Sequence, residues 1–180
     1  MRNKMAYSAM KSNFSTVRVP KIPSEPLNDR AMLLFLIDTC YLIELSKSSV
    51  GLYNSLKNLS KKGEVIITEE VVMEFQRNAQ TKKDVRKNDV AELYRAINDR
   101  IVTKERIWVS QEEHANLSNR MKECSEKHNE RLGQADASII VLADIMKELY
   151  SKVLIFSKDK DIETLAPPST EVVFCHPSFI

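Results

Sequence analysis

Apolar positions along the chain alternate between short continuous runs and helical stripes. Leu33 to Ile37 is an unbroken apolar run, too short for a complete globular helix, and it reads as a buried strand. Tyr41 to Leu45 and then Leu52, Leu56 and Leu59 have helical spacing, interrupted near Ser48 and Gly51, so a helix or helical pair is expected next. Gly63 closes that region, and EVIIT at 64–68 predicts a second strand. The Thr68 hydroxyl is placed to cap a helix starting at Glu69, where Glu69 and Glu70 suit the positive helix end.

The same alternation continues to the end of the chain. Val85, Val90, Leu93 and Ile97 supply the apolar face of a helix expected over 84–99. RIWV at 106–109 predicts a short strand, and Ser110 with Glu113 predicts a capping box opening a helix to about Glu126. Ile139, Leu142, Ala143 and Met146 mark a helix over 135–149 that leads into a strand, VLIF at 153–156, and EVVF at 171–174 reads as a last strand. Strands alternating with helices imply an α/β domain, with a central mostly parallel sheet flanked by helices in three layers.

At 180 residues the chain suits one domain with a sizeable core rather than two. Its longest apolar stretches fall well short of the roughly 18–20 residues that a membrane helix needs, so no membrane partner is expected. Arg2 and Lys4 are not followed by an apolar segment, which argues against a secretory signal. Cys40, Cys124 and Cys175 have neither metal-ligand spacing nor the pattern of a disulfide framework. These features point to the cytoplasm and away from zinc.

Charge divides the chain. Residues 1–30 hold six Lys or Arg against Glu25 and Asp29, a net +4, leaving −2 for the rest of a chain of net +2. Pro20, Pro23 and Pro26 punctuate this stretch. Residues 1–30 are expected to be a flexible basic extension, either a solvated tail or an arm that touches nucleic acid or a partner, ahead of a domain at 31–180.

Carboxylates sit at the ends of the predicted elements. Asp38 follows the first strand, Glu74 lies in a helix, Asp136 stands near the start of another, and Asp159 follows VLIF. An open α/β sheet gathers the C-terminal ends of its strands along one crevice, where ligands bind. Acidic groups collected there repel one another unless cations are bound, so a divalent-metal hydrolase is the leading class.

Taken together, LIDTC, TEEVVMEF, GQADASIIVLA and IFSKDKDI resemble the acidic motifs of the PIN-domain family, whose members are typically metal-dependent ribonucleases. The resemblance covers roughly residues 33–175. It implies a PIN-like nuclease domain and matches Asp38, Glu74, Asp136 and Asp159 to the family's acidic positions. Asp161 matches a further acid often found beside the last of these, and Ser157 a small hydroxyl position before the pair. Many small members are toxins of toxin–antitoxin pairs, of VapC type, often homodimeric and inhibited by a separate antitoxin. Both partners are therefore open for this chain, alongside an RNA substrate. The basic extension and the long segment between Glu74 and Asp136 depart from the shortest toxin form and leave room for an RNA-processing enzyme.

Mg²⁺ or Mn²⁺ suits such a donor set, because hard cations take oxygen ligands and align a phosphodiester with its attacking water. Asp38, Asp136 and Asp159 are assigned to direct or water-mediated metal contact. Glu74 completes that shell or orients the water, and Asp161 tunes the surroundings. Each has a structural rival. Asp38, Asp159 and Asp161 can cap helices, Asp136 can be an N-terminal helix charge, and Glu74 can be an exposed residue sharing a face with Glu70. Asp144 reads as a solvated helix residue. Ser157 and Thr39 can bond a catalytic carboxylate or substrate, or make local turn bonds. His114, His128 and His176 lack acid–base partners, Trp108 reads as a packing residue, and Tyr41 fits packing or base stacking.

Residues 77–87 carry Arg77, Lys82, Lys83, Arg86 and Lys87 against Asp84, a local +4 suited to RNA phosphates or to a solvated helix face. Lys158 and Lys160 read as solvent-facing. A non-catalytic RNA-binding or assembly protein is the alternative function. A phosphatase is weaker, because Asp38-Thr39-Cys40 lacks a paired aspartate. A dinucleotide enzyme is weaker still, with three glycines and no phosphate loop.

Overall fold

A computed structural model describes residues 33–81, 85–124 and 132–173, and every structural statement concerns these. The basic extension at 1–30, Lys82 and Lys83, His128, Cys175, His176, Phe174 and the expected end of a helix near Glu126 lie outside them.

The first half of the domain runs β1 (Leu33–Ile37), α1 (Thr39–Ser46), α2 (Leu52–Ser60), β2 (Glu64–Thr68), α3 (Glu69–Thr81) and α4 (Lys87–Asn98). The second half runs β3 (Thr103–Glu105), α5 (Gln111–Cys124), α6 (Gln134–Met146), β4 (Lys152–Phe156), α7 (Lys160–Leu165) and β5 (Thr170–Val173). The five strands form one all-parallel sheet in the order β3-β2-β1-β4-β5. The chain moves outward from β1 through β2 to β3, then returns to β4 on the other side of β1. The boundary between β1 and β4 is therefore the topological switch point, where an open parallel sheet presents its ligand crevice.

Parallel strands covered by helices are apolar throughout, and β1 shows why its sequence reads as a run rather than an alternation. Leu34, Leu36 and Ile37 are at most 1% exposed. Each such burial contributes about 1.5–3 kcal/mol. Phe156 in β4 packs edge-on against Phe35 and tilted against Tyr41, with ring centroids 5.5 and 5.0 Å away. Tyr41 is thus a core residue. Gly63 permits the close turn into β2, because a Cβ there would stand 2.5 Å from the Leu33 carbonyl oxygen.

Two helix starts carry the expected hydroxyl caps. The Val71 amide donates to the Thr68 hydroxyl at 3.4 Å, and the Glu113 amide donates to that of Ser110 at 3.1 Å. Glu69 also pairs with Lys104 and Arg106, at 3.2 and 3.4 Å.

Two expectations fail around the third strand. RIWV is not a strand; the edge strand is the preceding Thr103–Glu105. Its register uses β2 up to Thr68↔Glu105, after which there is no β2 left to pair with. Ile107 and Val109 turn instead toward a second apolar cluster that includes Leu117, Met121, Leu132, Ile140 and Leu165. Trp108 between them is 79% exposed, so it is not a packing residue.

Candidate active site

The register of β1 and β4 pairs Ile37 with Phe156, so the residues just past the two strands, Asp38 and Ser157, are neighbours. The Asp38 amide donates to the Phe156 carbonyl at 3.0 Å and ties the two exits together. Asp38 is also the N-cap of α1, accepting from the Thr39 amide. Its other oxygen, Oδ2, accepts from the Ser157 hydroxyl at 2.7 Å and from the Cys40 thiol at 2.9 Å. The capping and functional readings of Asp38 are therefore compatible, because a cap holds the carboxylate still.

The β4 exit continues the network. The Ser157 hydroxyl accepts from the Asp159 amide at 2.9 Å, and Asp159 Oδ1 accepts from the Asp161 amide at 2.8 Å as the N-cap of α7. The Lys158 amide donates to Cys40 Sγ at 3.1 Å. Thus Cys40 bridges the two strand exits, giving its proton to Asp38 and accepting from Lys158.

The helices bring the other acids. Glu74, half-buried in α3, accepts from the Thr39 hydroxyl at 2.8 Å through Oε2. Asp136, in the first turn of α6, reaches back to the Gly133 amide. A Cβ on Gly133 would lie 2.8 Å from Asp136 Oδ2, so glycine makes room for that carboxylate. The Thr68 and Ser138 hydroxyls meet at 2.7 Å, and Ser138 also bonds the Ala135 carbonyl at 2.7 Å. This buried pair joins the exit of β2 to the start of α6.

All five acids line one cleft: Asp38, Glu74, Asp136, Asp159 and Asp161. Thr39, Cys40, Asn78, Cys124, Lys158 and Lys160 share its walls. Burial raises the Asp136 carboxyl, and the charges of Asp38, Asp159 and Glu74 push it further, to about 7. Burial also raises Asp38, against the lowering effect of its three donors. The Cys40 thiol is pushed up to about 12 by burial and by Asp38 beside it, so it stays protonated as a donor. A clustered, mutually repelling set of oxygen donors fits a hard divalent cation in its chemistry. Among the described residues, no three acid, thiol or imidazole groups converge closely enough as placed to hold an ion, so the fit is not a preformed cage.

The basic segment fares less well. Arg86 lies at the start of α4, bonding Asp89 at 3.2 Å and the Ser46 carbonyl at 3.4 Å. Ser46 ends α1, about 12 Å of helix from the cleft at its start. Arg86 thus clasps the start of α4 to the end of α1, with its side chain 73% exposed. Arg77 and Lys87 are exposed outside the cleft lining, and Lys82 and Lys83 are not among the described residues. Lys158 pairs with Glu44 at 3.2 Å, Asp144 with Lys147 at 2.6 Å, and His114 bonds the Leu132 carbonyl away from the acids.

Sequence reasoning missed Cys40, Asn78 and Cys124. Asn78 was findable, since it stands four residues after Glu74 and so on the same helix face. Cys40 lacks metal-ligand spacing, but its place in the first turn after Asp38 puts the thiol near that carboxylate.

The model of the PIN domain matches residues 35–166. The chain belongs to the PIN-domain family. PIN domains are generally nucleases that use divalent metals. No curated protein matches the chain. Among solved structures, the chain is similar to VapBC2 from Rickettsia felis bound to a DNA fragment from their promoter. That likeness has 16% identity, covers 78% of this chain and 97% of that one, and has a TM-score of 0.45.

Proposed function

We propose that this PIN domain is an endoribonuclease that hydrolyses RNA phosphodiesters with Mg²⁺ or Mn²⁺. One observation carries the reading: five carboxylates from separate elements line a single cleft, and one of them, Asp136, is driven to about 7 by burial and by its acidic neighbours. Asp38, Asp136 and Asp159 would hold the ion, with Asp161 beside them. When bound, the ion supplies Lewis acidity to the phosphodiester and lowers the pKa of its water.

The chain's own groups do the rest. Thr39 bonds Oε2 of Glu74, leaving Oε1 to orient the attacking water. Ser157 and Cys40 hold Asp38 Oδ2 in place. Lys160 on the cleft wall and Arg77, one turn beyond Glu74, supply cations for the flanking phosphates.

The reading extends to residues 1–30 as a basic arm and 31–180 as the nuclease domain, working in the cytoplasm. It also includes the toxin role, with a homodimer and an antitoxin partner, which rests on membership of the PIN-domain family.

The test is cleavage of mixed single-stranded and structured RNA with Mg²⁺ or Mn²⁺, beside matched DNA and the Asp38→Asn protein. Internal RNA cuts that need metal and vanish in the variant support the proposal. RNA binding without any cutting by the folded wild type favours a non-catalytic RNA-binding or assembly protein.

A further inference from the structure

A second hollow, of about 750 Å³, lies along α5. Its polar lining comes from Gln111, His114, Ser118, Asn119 and Lys122, which follow one another at helical spacing, and from Gln134 at the start of α6. The volume falls in the roughly 300–1,000 Å³ range of small-ligand clefts. Val109, Ala115 and Leu132 complete its walls, so the lining is mostly polar with a smaller apolar part.

Ser118 is the informative residue. It is 5% exposed and lines the hollow, and its hydroxyl has no hydrogen-bond partner. Buried hydroxyls are normally satisfied, and a helical serine has a carbonyl four residues back within easy reach. Here that local bond is not made. His114 is held differently: its Nε2 lies 2.9 Å from the Leu132 carbonyl, which can only accept, so Nε2 carries the proton and Nδ1 is left as an acceptor. Gln111, Asn119 and Gln134 each bring both a donor and an acceptor.

We infer that this hollow binds one unpaired nucleobase of the polynucleotide whose backbone enters the carboxylate cleft. Mixed donors and acceptors suit a base's Watson–Crick edge, which only an unpaired base presents. The Lys122 ammonium suits the adjoining phosphate. The same two helices wall both: α5 gives Lys122 to the hollow and Cys124 to the cleft, and α6 gives Gln134 to the hollow and Asp136 to the cleft, which supports one ligand for both. The inference rests on the nuclease reading and adds to it a specificity site: the cut falls beside a nucleotide whose base the hollow selects.

The test uses the full chain and short single-stranded RNA oligonucleotides of varied sequence, beside the same sequences as duplex. Ser118→Ala and Asn119→Ala are compared with wild type for KM, kcat and base preference next to the cut. Binding in the absence of metal is followed by the fluorescence of Trp108, the only tryptophan. Expected are a KM and Kd raised about tenfold with kcat within about twofold, blurred base preference, and a Ser118→Ala melting temperature at or above wild type. Cleavage by the wild type with KM and preference unchanged in both variants would overturn the subsite and leave the nuclease standing. Single-strand binding without cleavage, weakened by both variants, keeps the subsite and removes the enzyme. A wild type that neither cuts nor binds single strands removes both.

Discussion

The two halves of the acidic cleft are built differently. At the strand exits, Asp38 and Asp159 are held by hydrogen bonds: Asp38 accepts from Thr39, Cys40 and Ser157, and Asp159 caps α7. On the helix side, Asp136 has one backbone donor, from Gly133, against burial and three neighbouring charges. One half is organised by donors, and the other is held by its helix against repulsion. Burial raises both Asp38 and Asp136, but only Asp38 has several donors that offset part of the effect.

Substitution by asparagine breaks this comparison most directly. Asp38→Asn and Asp136→Asn should each reduce RNA cleavage by at least about 10²-fold, yet move stability in opposite directions. At position 38 a carboxamide points its own N–H at one of three donors, and an unmatched buried donor costs about 1–3 kcal/mol. At position 136 it removes a repelled, buried charge. Melting curves without metal should therefore show Asp38→Asn below wild type and Asp136→Asn above it. The opposite order would mean that the hydrogen-bonded half is the strained one.

The pH dependence sharpens the same point. Asp136 titrates near 7 in the folded chain against 3.8 for its ordinary carboxyl, so between those values the folded state holds the extra proton. Stability then falls as pH rises, by on the order of a few kcal/mol in total. Metal-free protein should melt higher at pH 5 than at pH 8. In Asp136→Asn the slope should flatten, and in saturating Mg²⁺ the wild type should lose it, because the ion favours the ionised acid. A flat profile in the metal-free wild type would contradict the repulsion.

Ser157→Ala tests the donor half more gently. It removes a donor to Asp38 and the acceptor of the Asp159 amide, and should cost about 10–100-fold in metal affinity or activity. Titration calorimetry with Mn²⁺ reads the affinity directly. The smallest effect is expected from Thr68→Val, which loses the cap of α3 and the contact with Ser138, about 1 kcal/mol in denaturant unfolding. Its kcat should move little, since Thr68 touches none of the acids.

Much of the fold was legible in the sequence, for a physical reason. Strands β1, β2 and β4 are buried on both faces and so appear as apolar runs bounded by polar residues, and their exits point at once to Asp38 and Asp159. The edge strand β3 is different. Thr103 and Lys104 are exposed, and their pairing is dictated by what β2 leaves available, which no local pattern reveals. The apolar RIWV next door was the more attractive guess, and its side chains serve a helix cluster instead.

The acids of the site were named from their places at element ends, but their supports were not. The Ser157–Asp38 bond spans 119 residues and needs the β1–β4 register before it can be seen. Arg86 looked like part of a phosphate-binding run, until the start of α4 gave its guanidinium other partners. The hollow along α5 had no signature at all, because polar residues at helical spacing describe any solvated helix face. Its walls also need Val109, Leu132 and Gln134, which lie outside α5.

The central position of β1 also has a consequence in time. Its partner β4 is made more than a hundred residues later, so the cleft closes only after a long loop of chain has been gathered, a slow kind of contact to form. During synthesis, Asp38 and Glu74 emerge well before Asp136, Ser157 and Asp159 have left the ribosome. A chain stalled before β4 carries three of the five acids and none of the β4 exit that holds Asp38 in place. Assembly order alone thus keeps the cleft incomplete until the domain is nearly finished.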